Sequence, residues 1–211
     1  MTNLEYELRF YGFDEKKVKK KIKELGGVRI NKKRIMPLTV YFHPLGKENS
    51  YIRIRDEGRQ ITLTSKIIKN KKKKYDTEFE VEIDNIEQGD LILRSLGCKK
   101  KYYIEKIRET WQLPGCKEIV FDSYPGSDTY MEIDCHSEKA LLRVGKKLGV
   151  YPEYLVANFN LENHYFEKYG IKKNRKKGDL SFSDAKKQIG KYITKNKTEF
   201  NKILKKQQKY Y

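Results

Sequence analysis

The stretch LEYELRF, residues 4–10, decides the fold. Glu5, Glu7 and Arg9 alternate with Tyr6, Leu8 and Phe10. In an extended strand, alternate side chains share a face. One face therefore carries two carboxylates and a guanidinium, and the other is apolar and aromatic. Taken alone, this is an ordinary half-buried strand with its charges in water. Its meaning depends on whether other strands repeat it.

They do. Arg53 and Arg55 flank Ile54, and Thr62, Thr64 and Lys66 share a face opposite Leu63. Glu78, Glu80 and Glu82 alternate with Phe79, Val81 and Ile83. Lys106 and Arg108 flank Ile107, and Glu132 and Asp134 flank Ile133. Six strands with a charged and an apolar face do not build a sandwich around a greasy middle. They predict a closed, inverted barrel, with charges in a wet lumen and apolar faces outward beneath helices; closure also removes sheet edges. Carboxylates at Glu5, Glu7, Asp122, Glu132 and Asp134 suit hard divalent cations. Arg9, Arg53, Arg55, Lys66, Lys106 and Arg108 suit phosphate oxygens. Packing these charges together without a ligand is costly, and a metal–polyphosphate complex satisfies both sets.

The intervening segments supply the cover. DEKKVKKKIKELGG reads as a helix with Asp14 as N-cap and Val18, Ile22 and Leu25 as its apolar stripe. IEQGDLILRSLG (86–97) and SEKALLRVGKKLGV, capped by Ser137, are two more, and a short helix is expected over about 152–168. Residues 28–43 are extended around Pro37, Asp56-Glu57-Gly58 turns a hairpin, and Pro125-Gly126 turns another. The class is α+β and mostly antiparallel.

The chain has 211 residues, 37% hydrophobic and 36% charged, with a formal net charge of +18. Such a field favours polyanionic partners without choosing among them. Residues 172–211 carry 14 Lys/Arg against Asp179, Asp184 and Glu199, so this segment differs from the body. Ile189, Ile193, Phe200, Ile203 and Leu204 suggest marginal helices, in either a nucleic-acid- or membrane-surface arm or a solvated tail, and the segment is expected to be dispensable for turnover. Cys98, Cys116 and Cys135 have no metal spacing and are expected as reduced thiols. His43, His136 and His164 share no metal spacing, and Trp111 reads as packing. Without a signal peptide or long apolar run, a cytoplasmic protein with no membrane span is expected.

The ordered set EYELRF, YIRIR, LTSK, EFEVEI, IEKIRETW and FDSYPGSDTYMEID resembles the CYTH domain, the triphosphate tunnel metalloenzymes, over about residues 4–169. The resemblance implies an eight-stranded antiparallel tunnel over 1–171, with 172–211 as an appended basic tail. It places Glu5, Glu7, Asp122, Glu132 and Asp134 at metal positions, for Mg²⁺ or Mn²⁺. It places Arg9, Arg53, Arg55, Lys66 and Arg108, with Lys106 beside them, at phosphate positions, and gives Glu5, Glu7 and Arg9 the catalytic signature. Arg9 stands where lysine is usual, and Asp134 where a second glutamate is common. ENHYFEKYG (162–170) resembles the helix closing one tunnel end, from which Lys168 could reach inward.

The activity this implies is metal-dependent hydrolysis of the terminal phosphate of tripolyphosphate, a nucleoside or thiamine triphosphate, or an RNA 5′ end. IEKIRE and the chain length also resemble class IV adenylate cyclases, which form cyclic AMP and pyrophosphate from ATP. A non-catalytic polyphosphate- or RNA-binding module is the third reading. The oligomeric state is not legible.

Overall fold

A computed structural model describes residues 6–45, 50–67, 77–150, 161–172 and 178–211. Eight strands form one antiparallel sheet: β1 Tyr6–Phe10, β2 Val28–Phe42, β3 Tyr51–Asp56, β4 Ile61–Ile67, β5 Thr77–Ile83, β6 Lys100–Gln112, β7 Cys116–Ser123 and β8 Tyr130–Cys135. Their order is β1-β8-β7-β6-β2-β3-β4-β5. Among the described residues the six helices are α1 Glu15–Glu24, α2 Ile86–Ser95, α3 Glu138–Leu148, α4 Leu161–Tyr169, α5 Ala185–Gln188 and α6 Lys197–Gln207. The α+β class and the antiparallel pairing are as expected. The eight strands form a curled sheet, consistent with the expected tunnel, and no ladder joins β1 to β5 among the described residues.

Local chemistry sets the elements. The Asp14 side chain accepts from Lys17 N–H, Asn85 from Gln88 N–H and Ser137 from Ala140 N–H, capping α1, α2 and α3. β2 runs unbroken through Pro37; its pairing with β3 begins only at Leu38, so the missing N–H falls where a ladder ends. Cys116 and Cys135, expected as free thiols, lie directly opposite on β7 and β8 and are joined as a disulfide, leaving Cys98 as a buried free thiol.

Three apolar clusters pack against the sheet. Val18 and Ile22 of α1 and Leu141, Val144 and Leu148 of α3 pack over Ile119, Phe121, Met131 and Ile133. Leu93 of α2 packs over Ile52 and Ile54. Trp111 of β6 and Tyr41 of β2 belong to these two clusters. The segment from 178 onward builds the third: Leu180, Phe182, Ile189, Phe200 and Leu204 are buried in one cluster with Ile107, Tyr165 and Tyr169. Its described residues are therefore packed structure rather than a solvated tail. They are pinned to the β7–β8 turn as well. Ser127 N–H donates to Tyr124 O across Pro125-Gly126, and Gln207 accepts from Gly126 N–H and donates to Tyr124 O. Gly126 has φ +73°, and a Cβ there would lie 2.2 Å from the Phe200 ring, so only glycine serves both turn and contact.

This packing sets an expectation. Phe200, 1% exposed, should cost about 3–5 kcal/mol when cut to alanine, whereas Lys202→Ala on the exposed side of α6 should stay within about 0.5 kcal/mol. Urea unfolding of the full chain measures both, and equal small losses would return the segment to a solvated tail.

Candidate active site

Strand register puts the charged residues on one concave face. Across β1 and β8, Glu7 faces Asp134 and Arg9 faces Glu132. Across β8 and β7, Asp134 faces Glu118 and Tyr130 faces Asp122. Arg108 faces Asp122 across β6 and β7. On the other flank, Arg53 and Arg55 face Thr64 and Thr62, and Tyr51 faces Lys66; Glu78 and Glu80 follow on β5 opposite Lys66 and Thr64. Period-two alternation on each strand and in-register pairing between strands are enough to gather them. They line a cavity of about 690 Å³.

Its floor is a buried ion triad. The Asp122 carboxylate, 0% exposed, accepts from Lys106 Nζ at 2.6 Å and from Arg108 Nε and Nη2 at 2.8 and 2.7 Å, and the Tyr130 hydroxyl adds a fourth bond at 3.2 Å. Burial opposes the carboxylate's charge, but Arg108 and Lys106 outweigh it and hold the group below the usual carboxylate range. Burial and the neighbouring Arg108 push the Lys106 ammonium down to about 8. Beside the triad, Arg9 donates to Glu132 at 2.6 Å and to Glu7 at 2.8 Å. Burial again opposes ionisation of Glu132, and Arg9, Arg108 and Lys106 lower its pKa despite it.

The opposite wall is crowded with positive charge. Arg53 donates to Glu78 at 2.8 Å, and Lys66 lies 3.8 Å from the same carboxylate. Arg55 pairs with Glu57 and lies 3.6 Å from Glu80. Burial, then Arg53 and Arg108, lower the pKa of Arg55, and its buried Nε has no hydrogen-bond acceptor. Glu78 and Glu80 thus pair with the arginines.

The structure brings together Glu7, Arg9, Arg53, Arg55, Lys66, Lys106, Arg108, Glu132 and Asp134 around the cavity. Glu5 lies outside the described residues. Asp122 sits behind the lining and is engaged by the two cations. Lys168 does not reach inward; it pairs with Asp128 and with Glu199. His164 stacks on Tyr11 at 5.0 Å, and Trp111 is buried with its Nε1 donating to Glu109.

Sequence reading passed over Glu118. With Glu7 and Asp134 it forms a row of three carboxylates across β1, β8 and β7. Loss of water and the charge of Glu132 raise its pKa against the pull of Arg108. The signal was present in KEIVFDS, where Glu118 and Asp122 are four apart on one strand face, separated only by Val120. Among the described residues, no three His, Cys, Asp or Glu side chains are already gathered tightly enough to hold an ion. The donors of this row are nonetheless all carboxylate oxygens, the type hard divalent cations take. No helix among the described residues is long and apolar enough to cross a membrane.

Residues 3–166 match the CYTH domain family. A Methanocaldococcus jannaschii protein named "Putative adenylate cyclase MJ0240" is 29% identical over 157 residues, covering 72% of this chain and 86% of that one. Among solved structures, the PH1012 protein of Pyrococcus horikoshii OT3 superposes with a TM-score of 0.59 at 21% identity, over 74% of this chain and 96% of that one. A Vibrio parahaemolyticus protein titled "putative adenylate cyclase" gives a TM-score of 0.65 at 11% identity, over 77% and 98%. These two likenesses are of fold. With the family match spanning most of the sheet and its charged concave face, the chain belongs to the CYTH domain family.

Proposed function

We propose that the protein is a divalent-metal-dependent triphosphatase, cleaving the terminal phosphate of a triphosphate. The observation that carries this reading is a wall of clustered cations in which one buried guanidinium N–H lacks an acceptor among the described residues. Burial first, and then the charges of Arg53 and Arg108, lower the pKa of Arg55, and the Arg55 Nε has no acceptor among the described residues. A buried donor with no partner costs free energy, and phosphate oxygens supply both the acceptor and the counter-charge.

Each residue has a task in this reading. Arg53, Arg55 and Lys66 grip the outer phosphates from β3 and β4. Lys106 and Arg108 reach them from the floor, oriented by Asp122, which is given this task rather than that of a metal ligand. Glu7, Asp134 and Glu118, with Glu132 and Glu5 beside them, would hold Mg²⁺ or Mn²⁺. Such an ion, when bound, neutralises charge on phosphate oxygens and lowers the pKa of coordinated water. Arg9 keeps Glu7 and Glu132 aligned. Water attacks the terminal phosphorus, the bond to the bridging oxygen breaks, and the attacking water's proton passes to a carboxylate. Glu118, on the strand next to the Glu7–Asp134 pair, is placed to take that part.

The cyclase reading is favoured by the IEKIRE stretch and by the name of the M. jannaschii relative. It uses the same clamp with a ribose hydroxyl as nucleophile. The deciding experiment incubates the full chain with ATP, tripolyphosphate and 5′-triphosphorylated RNA in Mg²⁺ or Mn²⁺ and resolves the products. ADP and orthophosphate from ATP are expected. Stoichiometric cyclic AMP and pyrophosphate would overturn hydrolysis in favour of cyclisation, and tight binding without turnover would leave a binding module.

Two further outcomes follow from the charges. Glu7→Gln and Asp134→Asn should each raise the Mn²⁺ concentration for half-maximal turnover about 10- to 100-fold, with thermal melting unchanged; wild-type metal dependence in a folded variant removes that residue from the metal set. Lys106 is protonated below its value of about 8 and neutral above it. A bound triphosphate favours the protonated form, so affinity should fall as pH rises from about 7 to 9, and binding near pH 8 should take up a proton. Lys106→Arg should flatten that profile. Calorimetry in buffers of different ionisation enthalpy reads the proton directly.

A further inference from the structure

The cavity is not charged throughout. On β2 and β6 the concave face changes character: Leu38 stands opposite Ile104 and Val40 opposite Tyr102, and all four line the cavity. Polyphosphate oxygens seek donors, and an aliphatic wall offers them none. Yet this wall lies next to the clamp, since Leu38 is also opposite Arg55 and Val40 opposite Arg53.

The wall is completed by residues beyond the family match, which ends at 166. At 103–105, β6 has no partner on its β7 side among the described strand pairings. Leu180 occupies that side as a parallel bridge to Ile104: Leu180 N–H donates to Tyr103 O and Glu105 N–H to Leu180 O, both at 2.9 Å. Bridge partners share a face, so Leu180 extends the apolar strip of Leu38 and Ile104. Ile189 lines the same cavity from just after α5. Leu180 and Ile189 are 5% and 2% exposed, so the main body holds them in place.

We propose that this wall is a subsite for the organic end of the substrate, and that the substrate is a triphosphate monoester carrying a flat heteroaromatic ring, of the nucleoside triphosphate class. The inference rests on the phosphate-clamp reading given above. The ring lies against Tyr102 and the Leu38–Ile104–Leu180 strip, and its phosphates run across β3 to Arg53 and Arg55. Aromatic side chains favour flat partners, and aliphatic neighbours exclude water from both faces. Size agrees. About 690 Å³ lies within the roughly 300–1,000 Å³ of sites that enclose a drug-sized ligand. Inorganic tripolyphosphate would leave the apolar strip facing water. Burial and Tyr124 push the Tyr102 hydroxyl up to about 12, so it stays neutral beside the ring.

The test is calorimetric titration of the full chain, in EDTA, with β,γ-methylene-ATP and separately with inorganic tripolyphosphate. Tyr102→Ala and Leu180→Ala should each weaken the nucleotide analogue about tenfold and change tripolyphosphate less than about twofold. Tyr102 is only half-buried, so its variant decides the matter if Leu180→Ala does not fold. Arg53→Ala should weaken both ligands. Variants at 102 and 180 that weaken both alike, or neither, would overturn the subsite while Arg53→Ala still upholds the clamp. If Arg53→Ala changes neither ligand, the clamp reading fails and the subsite falls with it.

Discussion

A fully buried carboxylate stands between two cations at the centre of this sheet, and the other charges are arranged around it. Asp122 could not remain ionised at 0% exposure without Lys106 and Arg108. A buried pair gains little net stability over apolar packing, but losing one partner strands the other at a cost of about 3–5 kcal/mol. The triad is therefore poor as glue and effective as a constraint. It fixes the ends of two flexible cations at the floor of the cavity, where an ordinary lysine would wander into water. Arg9 does the same on the neighbouring strands by bridging Glu7 and Glu132. Binding groups ordered before a ligand arrives lose less entropy when it does.

The charged concave face dictates the rest of the architecture. A sheet whose inner face is wet must bury its outer face. α1 and α3 take one flank and α2 the other. The C-terminal segment covers Ile107 and, through Leu180, reaches the cavity wall. One stretch of chain thus joins the outer core to the lining of the site.

Much of this was legible where period two is strict. Residues 5–10, 53–55, 78–83 and 132–134 alternate charge with apolar side chains, and the register then gathers the lumen set without further information. Three things were hidden. The C-terminal segment was masked by lysine: Ile189, Phe200 and Leu204 are widely spaced among 14 basic residues, and their burial depends on an uncovered patch elsewhere. Glu118 was masked because Val120 interrupts the charged face of β7. The apolar wall was masked because Leu38, Val40, Tyr102 and Ile104 depart from the charged-inward rule that identified the other strands. The Cys116–Cys135 link depends on which strands become neighbours, which residue periodicity does not encode.

The separation in sequence between the central strands and their cover has a consequence for biosynthesis. β2 and β6 are complete once residue 112 has emerged, and the side chains that shield their convex face arrive between 180 and 204. At about 5–20 residues per second, a ribosome leaves Ile35 and Ile107 uncovered for some seconds while the sheet around them can already pair. During that interval the nascent chain presents an apolar strip of the kind chaperones hold and aggregates recruit. The lysines interspersed through the covering segment then have a use apart from any ligand: they keep a stretch bearing several large apolar side chains soluble until its docking site exists.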